Sequence, residues 1–241
     1  MAKERTNDRD CGPRDLGWAL LSKEAFAREQ AEAPASKRSD QLRASRRAME
    51  RAALELSGEV GYGQMTVEAL LERSDSNRER FYHAYQSKAE CYTAGYSAAI
   101  DQLAERLLSA GADAPSWSAG FRTACEELAR VVAAEPVLAR GLLAEVYAAG
   151  DAALEKRKEV FERLSRTIDR ARRETDESRH SPPPFTPRFI LSGIEAATLR
   201  ALREESYDFE EILPGLIYIS VSFYFGREAA AAETRRLGRA G

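Results

Sequence analysis

The chain has 241 residues, 44% hydrophobic and 31% charged, with a net charge of −3. It is long enough for two packed units. The longest apolar stretch, Leu216 to Phe225, is shorter than the roughly 20 residues of a membrane span, and the charge balance excludes a partner gripped by a uniformly basic surface.

Cys11, Cys91 and Cys125 are odd in number and far apart, with no CxxC pair. That argues for a reducing compartment and against a disulfide framework or structural zinc. With no apolar N-terminal run, a cytoplasmic protein is expected, away from membranes, with no cofactor and no metal. Ala, Leu, Glu and Arg dominate, runs of Val, Ile and Thr are nearly absent, and the apolar patterns have helical spacing, so the fold class is all-α.

Residues 1–38, rich in charge, Ala and Pro, read as a flexible extension, interrupted by an apolar island around Trp18 and Phe26. Lys37 and Arg38 suit either a DNA-contacting arm or a solvated tail. From Asp40 to about Gly58, Leu42, Met49, Ala53, Leu56 and Val60 mark an amphipathic helix whose other face carries Arg43, Arg46, Arg47 and Arg51. Gly58, Gly61 and Gly63 end it.

The next stretch, residues 66–85, reads as two short helices joined by a tight polar turn. Thr66 is a good N-cap, and Val67, Leu70 and Leu71 line one face of the first helix. Ser74, Asp75 and Ser76 favour a turn because their side chains compete for backbone hydrogen bonds, and Asn77 caps the second helix. There Phe81 and Tyr85 share a packing face, leaving Arg78, Glu79, Arg80 and His83 free to read something. The arginines of the preceding helix, the Tyr82 hydroxyl and Lys88 after Ser87 fit phosphate clamping around a groove-reading helix. Arg78 and Arg80 suit guanine O6 and N7, Glu79 suits cytosine N4, and His83 is either a base or phosphate contact or a solvated histidine.

Charge in this region is only weakly favourable. Residues 37–97 hold ten Lys or Arg against nine Asp or Glu, net +1, leaving −4 for the rest.

Through Gly61-Tyr62, Thr66-Val67, Asn77, Phe81-Tyr82, Tyr85 and Ser87-Lys88, the sequence resembles the tetracycline-repressor (TetR) family of bacterial regulators, closely over this region and only in architecture beyond it. It departs from the family pattern at Leu71, where a small residue is usual, and at Asp75-Ser76, where Gly-Val is usual. Asp tolerates the left-handed conformation of such a turn, whereas Ser76 in place of a buried Val weakens the hairpin's small core by ~1–2 kcal/mol.

The resemblance implies an N-terminal three-helix helix-turn-helix domain at 39–98 and a ligand-binding and dimerisation bundle at 99–228, followed by a helical or frayed tail at 229–241. It implies DNA contacts from Arg46, Thr66, Asn77, Arg78, Glu79, Arg80, Tyr82, His83 and Lys88. It also implies an effector cavity, whose candidate lining is Tyr92, Tyr96, Trp117, Phe121, Cys125 and Tyr147, residues that spacing alone reads equally as core.

The second half is predicted from its own punctuation. A helix from Ala89 to about Ala110 leads straight out of the reader. Ser116 caps Trp117 to Ala134, Pro136 starts a helix through Ala149, and Ala152 to about Glu177 forms a charged helix with one apolar seam. HSPPPFTP is expected to be a non-helical connector. Phe189 to Glu204 and Phe209 to Phe225 follow, the latter opened by an Asp208–Glu211 capping box and closed by Gly226. Both are unusually apolar, with small Ser192, Gly193, Ala196 and Ala197, so Ile190, Gly193, Ala197, Ile219 and Phe223 are expected at an isologous dimer interface.

A catalytic constellation is missing from the sequence: Glu177 and His180 form one ExxH pair where a di-metal bundle needs two, and no nucleophile or phosphate-loop motif occurs. The expected function is therefore non-enzymatic: a homodimeric repressor released from a palindromic double-stranded operator by a small, mostly apolar effector. The alternative is a helical ligand-binding or scaffold protein of the same fold that has lost specific DNA binding.

Overall fold

The computed structural model describes residues 37–173, 182–204 and 209–237, all of whose regular structure is helical. Among the described residues nine α-helices run in order: α1 (Lys37–Val60), α2 (Val67–Arg73), α3 (Arg78–Ala84), α4 (Lys88–Ala112), α5 (Trp117–Ala134), α6 (Pro136–Leu143), α7 (Asp151–Arg173), α8 (Thr186–Arg203) and α9 (Phe209–Leu237). None is long and apolar enough to cross a membrane. The 1–36 part of the N-terminal extension, the Glu177–His180 pair and Asp208 of the expected capping box lie outside the described residues.

Local chemistry sets the boundaries in the first half. Thr66 Oγ1, Asn77 Oδ1, Ser87 Oγ and Ser116 Oγ each accept an N–H three residues on, at 3.1, 2.9, 3.2 and 3.2 Å. Glu90 returns to the Gln86 N–H at 2.6 Å, closing a reciprocal cap at the junction between reader and body.

Three elements differ from the sequence reading. On α1 the buried stripe is Met49, Ala52, Ala53, Leu54 and Leu56, while Leu42, ahead of that stripe, and Val60, the last residue of the helix, are about half exposed. The helix expected through Ala149 stops at Leu143 and continues as a short 3-10 turn, Glu145–Ala148. The PPPFTP connector yields earlier than expected: α8 starts at Thr186 with Pro187 in its first turn, where a missing N–H costs nothing. Gly226 (φ 82°) interrupts α9 where the sequence reading closes the helix, and the segment beyond it is helical to Leu237 and docks, with Ala230 and Glu233 buried and Glu233 accepting from Arg122 Nε at 3.0 Å.

Helix α1 lies against α2, α4 and α6, α4 against α5 and α7, and α8 against α7 and α9. The tightest seam joins α1 to α6. A Cβ on Gly58 would fall 1.9 Å from the Val137 carbonyl oxygen, and one on Gly141 1.9 Å from that of Leu54, so these two backbones touch directly. Arg140 Nη1 reaches the Gly58 carbonyl at 3.5 Å, the Tyr92 hydroxyl donates to the Gly141 carbonyl at 2.7 Å, and the Tyr62 N–H donates to Glu145 Oε2 at 2.7 Å.

Candidate nucleic-acid interface and regulatory core

Helices α2 and α3 form a helix-turn-helix around Leu70 and Phe81, both fully buried, with Leu71 and Tyr85 beside them. The turn is closed by the Ser74 hydroxyl, which donates to the Leu70 carbonyl at 2.8 Å, and by the Ser76 N–H on the Leu71 carbonyl at 3.0 Å. Between them Asp75 adopts φ 48°, as the sequence requires of the residue in the usual glycine position. Ser76 Oγ is buried without a hydrogen-bond partner. The substitution of a hydroxyl for an apolar side chain is thus uncompensated.

The outward face of α3 presents Arg78, Glu79, Arg80, Tyr82 and His83, all exposed, with Thr66 and Asn77 at the starts of the two helices. Two of the sequence candidates are engaged within the protein. Arg78 Nη2 is paired with Glu68 of α2 across the turn. Lys88 Nζ donates to the carbonyls of Tyr62, Gly63 and Met65 at 3.1, 3.3 and 2.7 Å and lies 4.9 Å from the Tyr62 ring centroid, so its ammonium closes the loop between α1 and α2.

The arginines of α1 separate by role. Arg51 is buried and pairs with Glu55 at 2.8 Å and with Glu135 at 3.1 Å, and Arg73 of α2 pairs with Glu59 at 2.7 Å, which makes a charge ladder from α2 across α1 to the start of α6. Position 51, which the sequence groups with the phosphate-clamping arginines, therefore faces the interior. Arg46 is exposed, with its guanidinium carbon 5.4 Å from the Tyr85 ring centroid. Hydrogen bonding to Tyr85 raises its pKa above the ordinary arginine value.

The candidate effector residues fall into two groups. Tyr92 and Tyr96 stack at 6.2 Å on α4, both fully buried, and burial pushes both phenols far above their ordinary range. Near Tyr96, Tyr147 is 46% exposed; its hydroxyl donates to Glu195 Oε1 at 2.9 Å, and its ring lies 5.1 Å from the Arg157 guanidinium, which also pairs with Glu195. The second group is on α5. Trp117 stacks on Phe121 at 5.1 Å, meets Tyr224 and Phe225 of α9, and donates Nε1–H to the Ile168 carbonyl at 3.2 Å. Cys125 is buried beside them, and burial pushes its thiol up to about 12. Tyr224, whose buried hydroxyl has no hydrogen-bond partner, is a polar group in this region that the sequence reading missed; nothing in the helical spacing distinguishes it from its core neighbours.

The candidate dimer residues divide as well. Ile190 points into its own protomer, at 4% exposure, whereas Ile219 and Phe223 are exposed, Gly193 is open to solvent and Ala197 is half-buried. Phe185 and Phe189, absent from the sequence candidates, belong to the same face: Phe189 meets Phe223 edge-on at 5.9 Å and is 58% exposed. The 3.6-residue repeat, started one position away, selects Ile190 in place of Phe189.

The architecture matches solved regulators of the TetR type. The fatty acid degradation regulator FadR from Bacillus halodurans superposes with a TM-score of 0.64 at 12% identity, covering 73% of this chain and 94% of that one. FadR from Bacillus subtilis, in complex with stearoyl-CoA, gives 0.64 at 15%, with 73% and 97% covered. A TetR-family transcriptional regulator from Streptomyces coelicolor gives 0.60 at 18%, with 81% and 88% covered. No family model and no curated protein matches the chain. The chain has the TetR-type fold.

Proposed function

We propose that this protein is a homodimeric DNA-binding transcriptional regulator, a repressor released from a palindromic operator by a small, mostly apolar effector. The observation that carries the reading is the hairpin of α2 and α3. Asn77 caps a short helix that buries Phe81 completely, while Arg78, Glu79, Arg80, Tyr82 and His83 face outward. Those are donor and acceptor types that read base edges and grip phosphates. Dimerisation through α8 and α9 is supported by the exposed Phe185, Phe189, Ile219 and Phe223, and it places two readers to meet two half-sites. An apolar effector is supported by the aromatic character of the α4 and α5 candidates and, by likeness of fold, by the stearoyl-CoA bound to the Bacillus subtilis FadR.

Gel-shift and footprinting on DNA flanking the protein's own gene test the reading. A palindromic footprint at moderate salt is expected, with Arg80→Ala costing about 1–3 kcal/mol on the cognate site and relaxing preference at one position. The engagement of Arg78 by Glu68 and of Lys88 by three carbonyls favours one competitor, a ligand-binding protein of the same fold without operator specificity. The absence of a palindromic footprint at moderate salt would favour it.

A further inference from the structure

Tyr85 sits immediately after the last residue of α3, in extended backbone, and is 2% exposed, yet it carries a hydroxyl where a hydrocarbon ring would pack equally well. That hydroxyl donates to Glu50 Oε1 at 2.5 Å. The face of the same ring lies under the Arg46 guanidinium, 5.4 Å away, and Arg46 and Glu50 are one helical turn apart on α1. Desolvation and the Glu50 bond hold the phenol protonated, so it remains a hydrogen-bond donor across the physiological range. Arg46 is exposed and lies beside the C-terminal end of α3.

We infer that Tyr85 and Glu50 are positioning residues for Arg46: the Tyr85 ring supports the guanidinium, the hydroxyl is fixed by Glu50, and Arg46 is held ready to grip a DNA phosphate next to the groove that α3 enters. This rests on the DNA-binding reading above. Its physical content is entropic. An arginine on a bare helix surface freezes several rotors when it binds a phosphate, whereas one already supported by an aromatic face has lost part of that freedom beforehand. Because Tyr85 caps the C-terminal end of α3, the clamp is also fixed relative to the reading helix. Glu50 is a carboxylate near a phosphate-binding group, but it is turned toward the phenol and has no ion pair to Arg46 among the described contacts.

A phosphate contact is independent of sequence, so no operator is needed for the test. A 30-base-pair random-sequence duplex is titrated by fluorescence anisotropy against the full-length protein over a series of NaCl concentrations. Each phosphate contact contributes about 0.9 to the slope of log K against log salt. Arg46→Ala is expected to lower the slope by up to that amount, whereas Tyr85→Phe, which keeps the ring and removes the donor, leaves Arg46 able to make the contact but less preorganised, and is expected to weaken binding several-fold at low salt with a slope near that of the wild type. In the Arg46→Ala background, Tyr85→Phe should change nothing further, an interaction that a purely structural role for Tyr85 would not produce. Glu50→Gln, which retains an acceptor for the phenol, should keep the wild-type slope and bind more tightly. A Tyr85→Phe protein that binds as tightly as wild type, or one that loses the same factor in both backgrounds, overturns the inference. A wild-type protein that shows no salt-dependent binding to the duplex overturns the DNA-binding reading itself, and the inference with it.

Discussion

Replacing Ser76 by Val should stabilise the protein. Ser76 Oγ lies in the turn of the α2–α3 hairpin, cut off from solvent and without a partner, while the neighbouring Ser74 hydroxyl is satisfied by the Leu70 carbonyl. A buried polar group left unpaired costs about 1–3 kcal/mol, and the additional carbon of Val buries further apolar surface at about 0.8 kcal/mol per methylene equivalent. The two contributions overlap, because both describe the same small volume, so the expected gain is about 1–3 kcal/mol. The backbone does not oppose the change: positive φ is confined to Asp75, and the Ser76 N–H bond to the Leu71 carbonyl is available to any residue but Pro. In a chain of this size, each kcal/mol moves Tm by about 2–4 °C. Urea and thermal unfolding at matched protein concentration measure the effect, and Ser76→Ala separates loss of the hydroxyl from gain of the methyls. A Ser76→Val protein no more stable than wild type refutes the reasoning, since it means that the hydroxyl is hydrated in solution.

Gly141→Ala should destabilise by about 3 kcal/mol or more, because its Cβ would sit 1.9 Å from a backbone carbonyl that has no alternative rotamer, whereas Gly63→Ala, with open space around it, should stay within about 0.5 kcal/mol; chemical denaturation compares them. Asn77→Ala removes the cap that accepts the Arg80 N–H and should cost about 1 kcal/mol, with faster amide exchange confined to the first turn of α3. Ile219→Lys places a charge on the exposed face of α9 and should give monomers in sedimentation and abolish duplex binding without altering the fold of the reader.

The helix-turn-helix was the most legible part of the sequence because its signals are local. Thr66, Asn77 and Ser116 cap the helices they were expected to cap, since an N-cap depends on residues three apart and hardly at all on the rest of the chain. Contacts between distant segments were not legible. That Arg51 faces inward depends on Glu135, 84 residues away, and that Lys88 closes a loop depends on three carbonyls more than 20 residues upstream, none of which carries a side-chain signature. On α8, Gly193 is open to solvent as an interface residue must be, whereas Ile190 is buried and Phe189, one residue and roughly 100° of helix away, is exposed in its place.

The same long-range contacts limit how the proposed switch can work. If α4 alone joined the reader to the body, a ligand against Tyr92 and Tyr96 could swing the reader by bending one helix. Instead α1 is also bound to α6 through backbone contact at Gly58 and Gly141, through Arg51 and Glu135, and through the Tyr62 N–H on Glu145. A reader so attached follows α6 and the 3-10 turn beyond it, and a ligand that leaves both in place leaves the reader in place. Tyr147 lies in that turn, two residues after Glu145, and its hydroxyl is held by Glu195 of α8. An effector that competes for Glu195 or displaces the Tyr147 ring therefore acts on the element that also holds the Tyr62 loop. Coupling of about 1–3 kcal/mol through such a path weakens operator binding by roughly 5- to 150-fold, and the operator must weaken effector binding by the same factor. In a dimer built on α8 and α9, the displacement need only change the separation of two rigid readers from the spacing of about one DNA turn that their half-sites fix.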